Sequence, residues 1–195
     1  MKKIFPVLQF LNVPNGITTL GLIFGIIACY FLIHGNLQGA LICMSFSLLM
    51  DLFDGFFAYK LHQQTEFGQY VDSLVDFFIC CIIPIWVIYI FVGSHPFLIV
   101  MLAFYCICGL WRLAYYNLMD SKGYFVGLPV PGALLLVTMA LWLVVRYNAP
   151  NAVLYAVLLL AGFLMISAVP LKKYGFWQKA MWLVGCLFLI LIIVS

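Results

Sequence analysis

Charge is what this chain has least of. Only 8% of its 195 residues are Asp, Glu, Lys or Arg, against roughly 25% in soluble domains. Hydrophobic residues make up 67% and the mean hydropathy is +1.20, which leaves no room for a water-soluble domain. Nine basic residues scattered over such a chain form no nucleic-acid footprint. Zinc-type cysteine spacing is missing as well. The seven cysteines (Cys29, Cys43, Cys80, Cys81, Cys106, Cys108 and Cys186) are odd in number and fall in apolar runs, where Cys serves as a small hydrophobe. Low-complexity stretches and internal repeats are also lacking. A removable signal peptide is not expected, because Pro6, Gln9, Asn12, Pro14 and Asn15 interrupt the apolar run that should follow Lys2 and Lys3. Ile4–Leu11 reads instead as a short interfacial helix with Ile4, Val7, Leu8 and Leu11 on one face.

What the chain does have is apolar runs near the roughly 20 residues that a membrane-crossing helix needs. Seven are expected, near Val13–Ile33, Leu37–Ala58, Phe67–Val92, Phe97–Tyr116, Phe125–Tyr147, Ala152–Val169 and Trp177–Val194, the last being short. The fold class is therefore an all-α integral membrane protein: one domain over residues 1–195, a bundle of six to seven transmembrane helices with a short N-terminal interfacial helix. Orientation follows from the basic residues. With the N-terminus in the cytoplasm, the inner loops hold Lys2, Lys3, Lys60, Lys122, Lys172 and Lys173, Arg112 and Lys179 fall at inner helix ends, and only Arg146 lies outside. The net charge of +3 expresses this bias. A multi-pass protein of the cytoplasmic membrane is the result.

The acidic residues are concentrated to a degree the rest of the chain is not. Five of the six lie between Asp51 and Asp76, in D-L-F-D-G-F-F-A-Y-K-L-H-Q-Q-T-E-F-G-Q-Y-V-D-S-L-V-D. A carboxylate in hydrocarbon costs several kcal/mol unless paired, hydrated or bound to a cation. Residues three and four apart share a helix face, so Asp51, Asp54, Gly55 and Ala58 form one stripe, and Gly68, Asp72 and Asp76 another. The short connection Tyr59–Phe67 makes the two helices antiparallel neighbours whose stripes can face each other. Four hard oxygen donors in one pocket suit Mg²⁺, Mn²⁺ or Ca²⁺, and four charges suit two ions better than one. Such a pair at the inner edge of a bilayer suits phosphoryl chemistry on a lipid. Asp76, set deepest along its span, is the candidate general base.

Other polar residues have two readings each. Asn15 is either the cap of the first span or, with Thr18, part of a cavity shared with the acidic cluster. Gly21 and Gly25 allow a neighbouring helix to approach closely, and Pro84 should kink the third span. Arg112 is either a bidentate anion ligand or a snorkelling marker of the inner interface. Pro129 and Pro131 impose an extended approach to the fifth span. His34, His62 and His95 read as solvated.

The pattern Asp51-x2-Asp54-Gly55-x2-Ala58, then Gly68-x3-Asp72-x3-Asp76, resembles the signature of the CDP-alcohol phosphatidyltransferase family. Within it, three segments look like the phosphatidylserine synthase branch: Glu66-Phe67-Gly68-x3-Asp72-Ser73-Leu74-x-Asp76, Leu110-x-Arg112-Leu113-Ala114-x2-Asn117, and Phe125-x-Gly127-Leu128-Pro129-x-Pro131. Leu164-Met165-Ile166-Ser167 fits as well. The resemblance implies phosphatidyl transfer from CDP-diacylglycerol, or an archaeal ether analogue, to the hydroxyl of L-serine with release of CMP. It also implies a homodimer with a cytoplasm-facing site in each protomer. By position, Asp51, Asp54, Asp72 and Asp76 would bind two Mg²⁺ or Mn²⁺ ions, and Asp76 would also be the base. Asp54, Gly55, Ala58 and Gly68 would line the CDP pocket, bordered by Asn15 and Thr18. Where the family usually has Arg after the Ala, this chain has Tyr59 and then Lys60, which would take over that charge. Lys60, Arg112 and Asn117 are expected to meet the acceptor or a lipid phosphate. Inositol, inositol phosphate, glycerol phosphate and choline are alternative acceptors, and a cation-coupled transporter is the alternative from another class.

Overall fold

The computed structural model describes residues 6–118, 124–172 and 176–194, which leaves Ile4, Lys2, Lys3, Lys122 and Lys173 of the foregoing expectations outside the described residues. A 3₁₀ turn, Pro6–Phe10, precedes α1, Val13–Ile33. Asn12 caps α1, its side chain accepting the Asn15 N–H at 2.9 Å. That corrects the expectation of Asn15 as the cap. Pro14 occupies the first turn, where its missing N–H removes no bond the helix would make. Next come α2, Leu37–Lys60, capped by Asn36, and α3, Glu66–Val92, capped by Thr65. The series continues with α4, Pro96–Leu118; α5, Val130–Tyr147; α6, Asn151–Ile166; and α7, Phe176–Val194.

Among the described residues, five helices, α1 to α5, are long and apolar enough to cross a membrane. With 16 residues, α6 reaches about 24 Å at 1.5 Å per residue, less than the roughly 30 Å of hydrocarbon in a bilayer. Two expected boundaries move for one reason. The fifth span starts at Val130 and not at Phe125, and the sixth ends at Ile166, because the flanking segments pair as β1, Tyr124–Val126, and β2, Pro170–Lys172, antiparallel. Prolines 129, 131 and 170 lack the N–H a helix would need there. Gly127, at φ +79°, makes the connection. Its N–H bonds to the Val169 carbonyl and the Leu128 N–H to that of Leu164, while a Cβ at Gly127 would lie 2.6 Å from the Met165 carbonyl. Two segments of the sequence resemblance, 125–131 and 164–167, thus meet in space.

Without a hydrophobic driving force between helices, association in a membrane rests on close packing and interhelical hydrogen bonds. The glycines of α1 act in this way. Gly21 faces Ser47 and Met50 of α2, and Ser47 Oγ donates to the Gly21 carbonyl at 2.8 Å. Gly25 faces Ile79 and Ile83 of α3. Helix α5 runs through the middle, 67% buried, whereas the most apolar part of α1 is only 28% buried and forms an outer wall. The core, including Leu41, Met44, Ile83, Leu98, Tyr105, Leu134 and Leu158, is centred on α5 and leaves the ends of α1, α2 and α3 to a different kind of lining.

Candidate active site

Helices α2 and α3 are joined by the five residues 61–65, so they run antiparallel and bring their acidic stripes together. Thr65 starts α3 by accepting the Gly68 N–H at 3.0 Å, which sets the phase in which Asp72 and Asp76 project four residues apart on one face. Carboxylate oxygens of Asp51, Asp72 and Asp76 lie within 4.8 Å of one another. Carboxylates gathered so closely favour a shared proton or a bound cation. Among the described residues, the charges acting on Asp51, Asp72 and Asp76 are those of other carboxylates, and no basic side chain compensates them. Hard oxygen donors gathered in this way are the donor set of a small divalent cation.

Asp54 lies on the same cavity but outside the cluster of three. Its carboxylate accepts a hydrogen bond from Thr18 Oγ1 of α1 at 2.5 Å. The cavity lies where the three helices meet, between Thr18 and Gly21 of α1, Ser47, Asp51 and Asp54 of α2, and Asp72, Asp76 and Cys80 of α3. Thr18 was expected only at the border of the site; it is bonded directly to one of the four aspartates.

The expected pocket glycines divide. Gly55 is exposed and a Cβ there would meet nothing within 4 Å, so α2 presents bare backbone to open space. Ala58 beside it is half-buried. Gly68 instead receives another helix: a Cβ would lie 2.7 Å from Asn15 Oδ1 and 3.1 Å from Thr65 Oγ1. Asn15 Nδ2 donates to the Phe10 carbonyl at 2.8 Å. Asn15 therefore ties the preceding turn to α3, and Gly68 is where it fits.

Arg112 and Asn117 share the end of α4. Arg112 is 6% exposed, which excludes the snorkelling alternative, and its Nε is buried without a hydrogen-bond partner among the described residues. Its guanidinium lies 5.7 Å from the Tyr116 ring centroid. Asn117 Nδ2 donates at 3.0 Å to Ser73 Oγ, between Asp72 and Asp76 in sequence, and so ties α4 to the acidic helix. Lys60 is exposed, with Nζ 5.7 Å from the Phe56 ring centroid. Sequence reasoning missed Ser73, Thr65 and Ser47 as bonding partners. For Ser47 the signal available was a hydroxyl in an otherwise apolar stretch, which demands a partner without naming it; for Thr65 it was a capping residue type in the polar connection before α3.

The family model for CDP-alcohol phosphatidyltransferase matches residues 11–191. A CDP-diacylglycerol–serine O-phosphatidyltransferase of Methanocaldococcus jannaschii is 30% identical over 170 residues, 87% of this chain and 78% of the relative. One of the same description from Bacillus subtilis is 29% identical over 166 residues, 83% of this chain and 90% of the relative. An Aquifex aeolicus CDP-diacylglycerol–glycerol-3-phosphate 3-phosphatidyltransferase is 41% identical over 66 residues, 34% of this chain and 37% of the relative. With buried aspartates on two facing helix ends inside a match that runs nearly end to end, the chain is a membrane-embedded transferase of phospholipid biosynthesis and belongs to the CDP-alcohol phosphatidyltransferase family.

Proposed function

We propose that the chain transfers the phosphatidyl group of CDP-diacylglycerol, or of an ether-linked analogue, to the hydroxyl of L-serine and releases CMP. The gathering of Asp51 and Asp72, both half-buried, with the buried Asp76 is the observation that carries this reading. The serine hydroxyl attacks the lipid-side phosphorus, a new P–O bond forms, and the anhydride bond to the CMP phosphate breaks. Asp76 takes the hydroxyl proton. Two Mg²⁺ or Mn²⁺ ions held by Asp51, Asp54, Asp72 and Asp76 would supply neutralisation of the pyrophosphate and of the departing phosphate. Thr18 keeps the Asp54 carboxylate turned toward the cavity, and the bare backbone at Gly55 gives the cytidine diphosphate room to lie close.

Serine is favoured over the other acceptors on two grounds. Relatives described as serine enzymes match over most of this chain, whereas the glycerol phosphate enzyme matches over a third of it. An acceptor carrying its own phosphate would need several basic groups, and among the described residues Arg112 and Lys60 are the basic candidates for meeting it. Arg112 and Asn117 receive the serine carboxylate or a lipid phosphate, the Arg112 Nε, which has no hydrogen-bond partner among the described residues, being a donor for it. Family membership sets the cation-transport alternative aside. The site faces the cytoplasm, in accord with the distribution of basic residues, and the active form is a homodimer.

The test uses purified protein in detergent micelles with Mn²⁺ or Mg²⁺, CDP-diacylglycerol and a panel of labelled alcohols. CMP release with serine alone is the expected result. Release with inositol, glycerol phosphate or choline and not with serine would overturn the acceptor while leaving the enzyme class untouched.

A further inference from the structure

Directly after Asp76, α3 abandons α-helical geometry. Phe77–Ile82 form a π-helical turn, in which the Ile83 N–H reaches back to the Phe78 carbonyl, and α-helix resumes at Ile83. Such turns are rare, cost stability and occur mostly where a helix serves a site. This one carries a second penalty. In an α-helix the Cys80 carbonyl would accept the N–H of residue 84, and residue 84 is proline. A backbone carbonyl left without a donor inside a membrane costs several kcal/mol.

The donor comes from another helix. Tyr105 of α4, fully buried, directs its hydroxyl to the Cys80 carbonyl at 2.9 Å. One turn further along α4, Gly109 leaves the space that the Cys81 sulfur fills. Helix α4 therefore grips the π-helical turn at two successive residues, by a hydrogen bond at Cys80 and by shape at Cys81. The opposite side of the turn is equally tight: a Cβ on Gly25 of α1 would lie 3.0 Å from Ile79. Ile79 and Cys80 line the same cavity as the aspartates. The turn is thus the point at which α3 is clamped between α1 and α4, next to Asp76.

We infer that Tyr105 is a positioning residue for the carboxylate cluster: by holding the Cys80 carbonyl it fixes the π-helical turn, and the turn sets how far Asp76 reaches toward Asp51. Tyr105 touches neither substrate nor cation. It acts through the backbone of α3, and the inference rests on the proposed cation-binding role of Asp51, Asp72 and Asp76.

Mn²⁺ binding to the purified full-length protein, followed by the electron paramagnetic resonance signal of free Mn²⁺, tests this without requiring turnover. Tyr105→Phe, which keeps the ring and removes only the hydroxyl, should weaken Mn²⁺ binding about three- to tenfold, the range of one hydrogen bond. Pro84→Ala returns an N–H to α3, and in the Tyr105→Phe background it should bring binding back to within about twofold of the wild type, on the same scale. A Tyr105→Phe protein that binds Mn²⁺ like the wild type overturns the inference. So does a loss that Pro84→Ala does not restore. Should Tyr105→Phe alone not fold, Pro84→Ala supplies the second comparison: adding Tyr105→Phe to it should leave binding unchanged, and a further loss overturns the inference. A wild-type protein that binds no Mn²⁺ overturns the cation centre itself.

Discussion

Gly162 and Gly55 both stand on helices, yet they face opposite surroundings. On α6, a Cβ at Gly162 would lie 2.5 Å from the Phe104 ring of α4, which packs at a tilt against Phe163 at a centroid distance of 5.0 Å. On α2, a Cβ at Gly55 would meet nothing within 4 Å. The first glycine belongs to the dry part of the bundle, where small residues let side chains of a neighbour fill all the space. The second belongs to the end shared by α1, α2 and α3, where space is left open beside carboxylates that repel one another. One part of the molecule is filled by its own side chains, and the other leaves open space beside its carboxylates. A helix pair held only by side chains of like charge would not stay together, so the dry part must supply the cohesion.

That contrast is sharpest at Asp76. Asp76→Asn should lower CMP release about a thousandfold, within the range of general acid–base catalysis, while CDP-lipid binding and the melting temperature are retained. Loss of binding with residual turnover would break the assignment of Asp76 as the base. Arg112→Lys comes next. Exchanging a bidentate fork for a point charge should raise the KM for serine about tenfold to a hundredfold, the range for losing one or two charge-assisted hydrogen bonds, with little change in the KM for CDP-lipid. Thr18→Val removes the hydroxyl that Asp54 accepts from and should weaken CDP-lipid binding about tenfold, as for one hydrogen bond to a charged group. Titration by thermal shift would measure it.

The smallest effects test the two glycines directly. Gly162→Ala should cost about 1–3 kcal/mol through overpacking against Phe104, lowering the melting temperature by several degrees and leaving the KM for CDP-lipid alone. Gly55→Ala should do the reverse, raising that KM severalfold at an unchanged melting temperature. Equal behaviour of the two variants would show that the open space at Gly55 is not where the nucleotide lies.

The acidic stripes were legible in the sequence because charge is so scarce that five of six acidic residues in one stretch leave few readings, and because helical spacing puts residues three and four apart on one face. The membrane class, the order of the first four helices and the close approach at Gly21 and Gly25 were legible for the same local reasons. Where reasoning from sequence fell short, the missing information was non-local. Asn12 and Asn15 are both plausible caps by composition, and only the helix start at Val13 chooses Asn12. Gly68 reads like Gly55 until Asn15 is seen lying on it. The strand pair Tyr124–Val126 with Pro170–Lys172 joins segments more than forty residues apart, a pairing that no window along the chain reveals.

By itself, then, the sequence determined that this protein is a helical membrane protein with its acidic residues gathered at Asp51 to Asp76, since hydropathy and helical periodicity are properties of neighbouring residues. Only the tertiary structure decided which partner each polar group took: Thr18 for Asp54, Ser73 for Asn117, Cys80 for Tyr105, and, among the described residues, none for the Nε of Arg112. Those choices depend on how each helix is rotated and shifted against the next. In a bundle where every unpaired polar group is costly, that rotation is settled by the packing of all the helices together and not by any one of them.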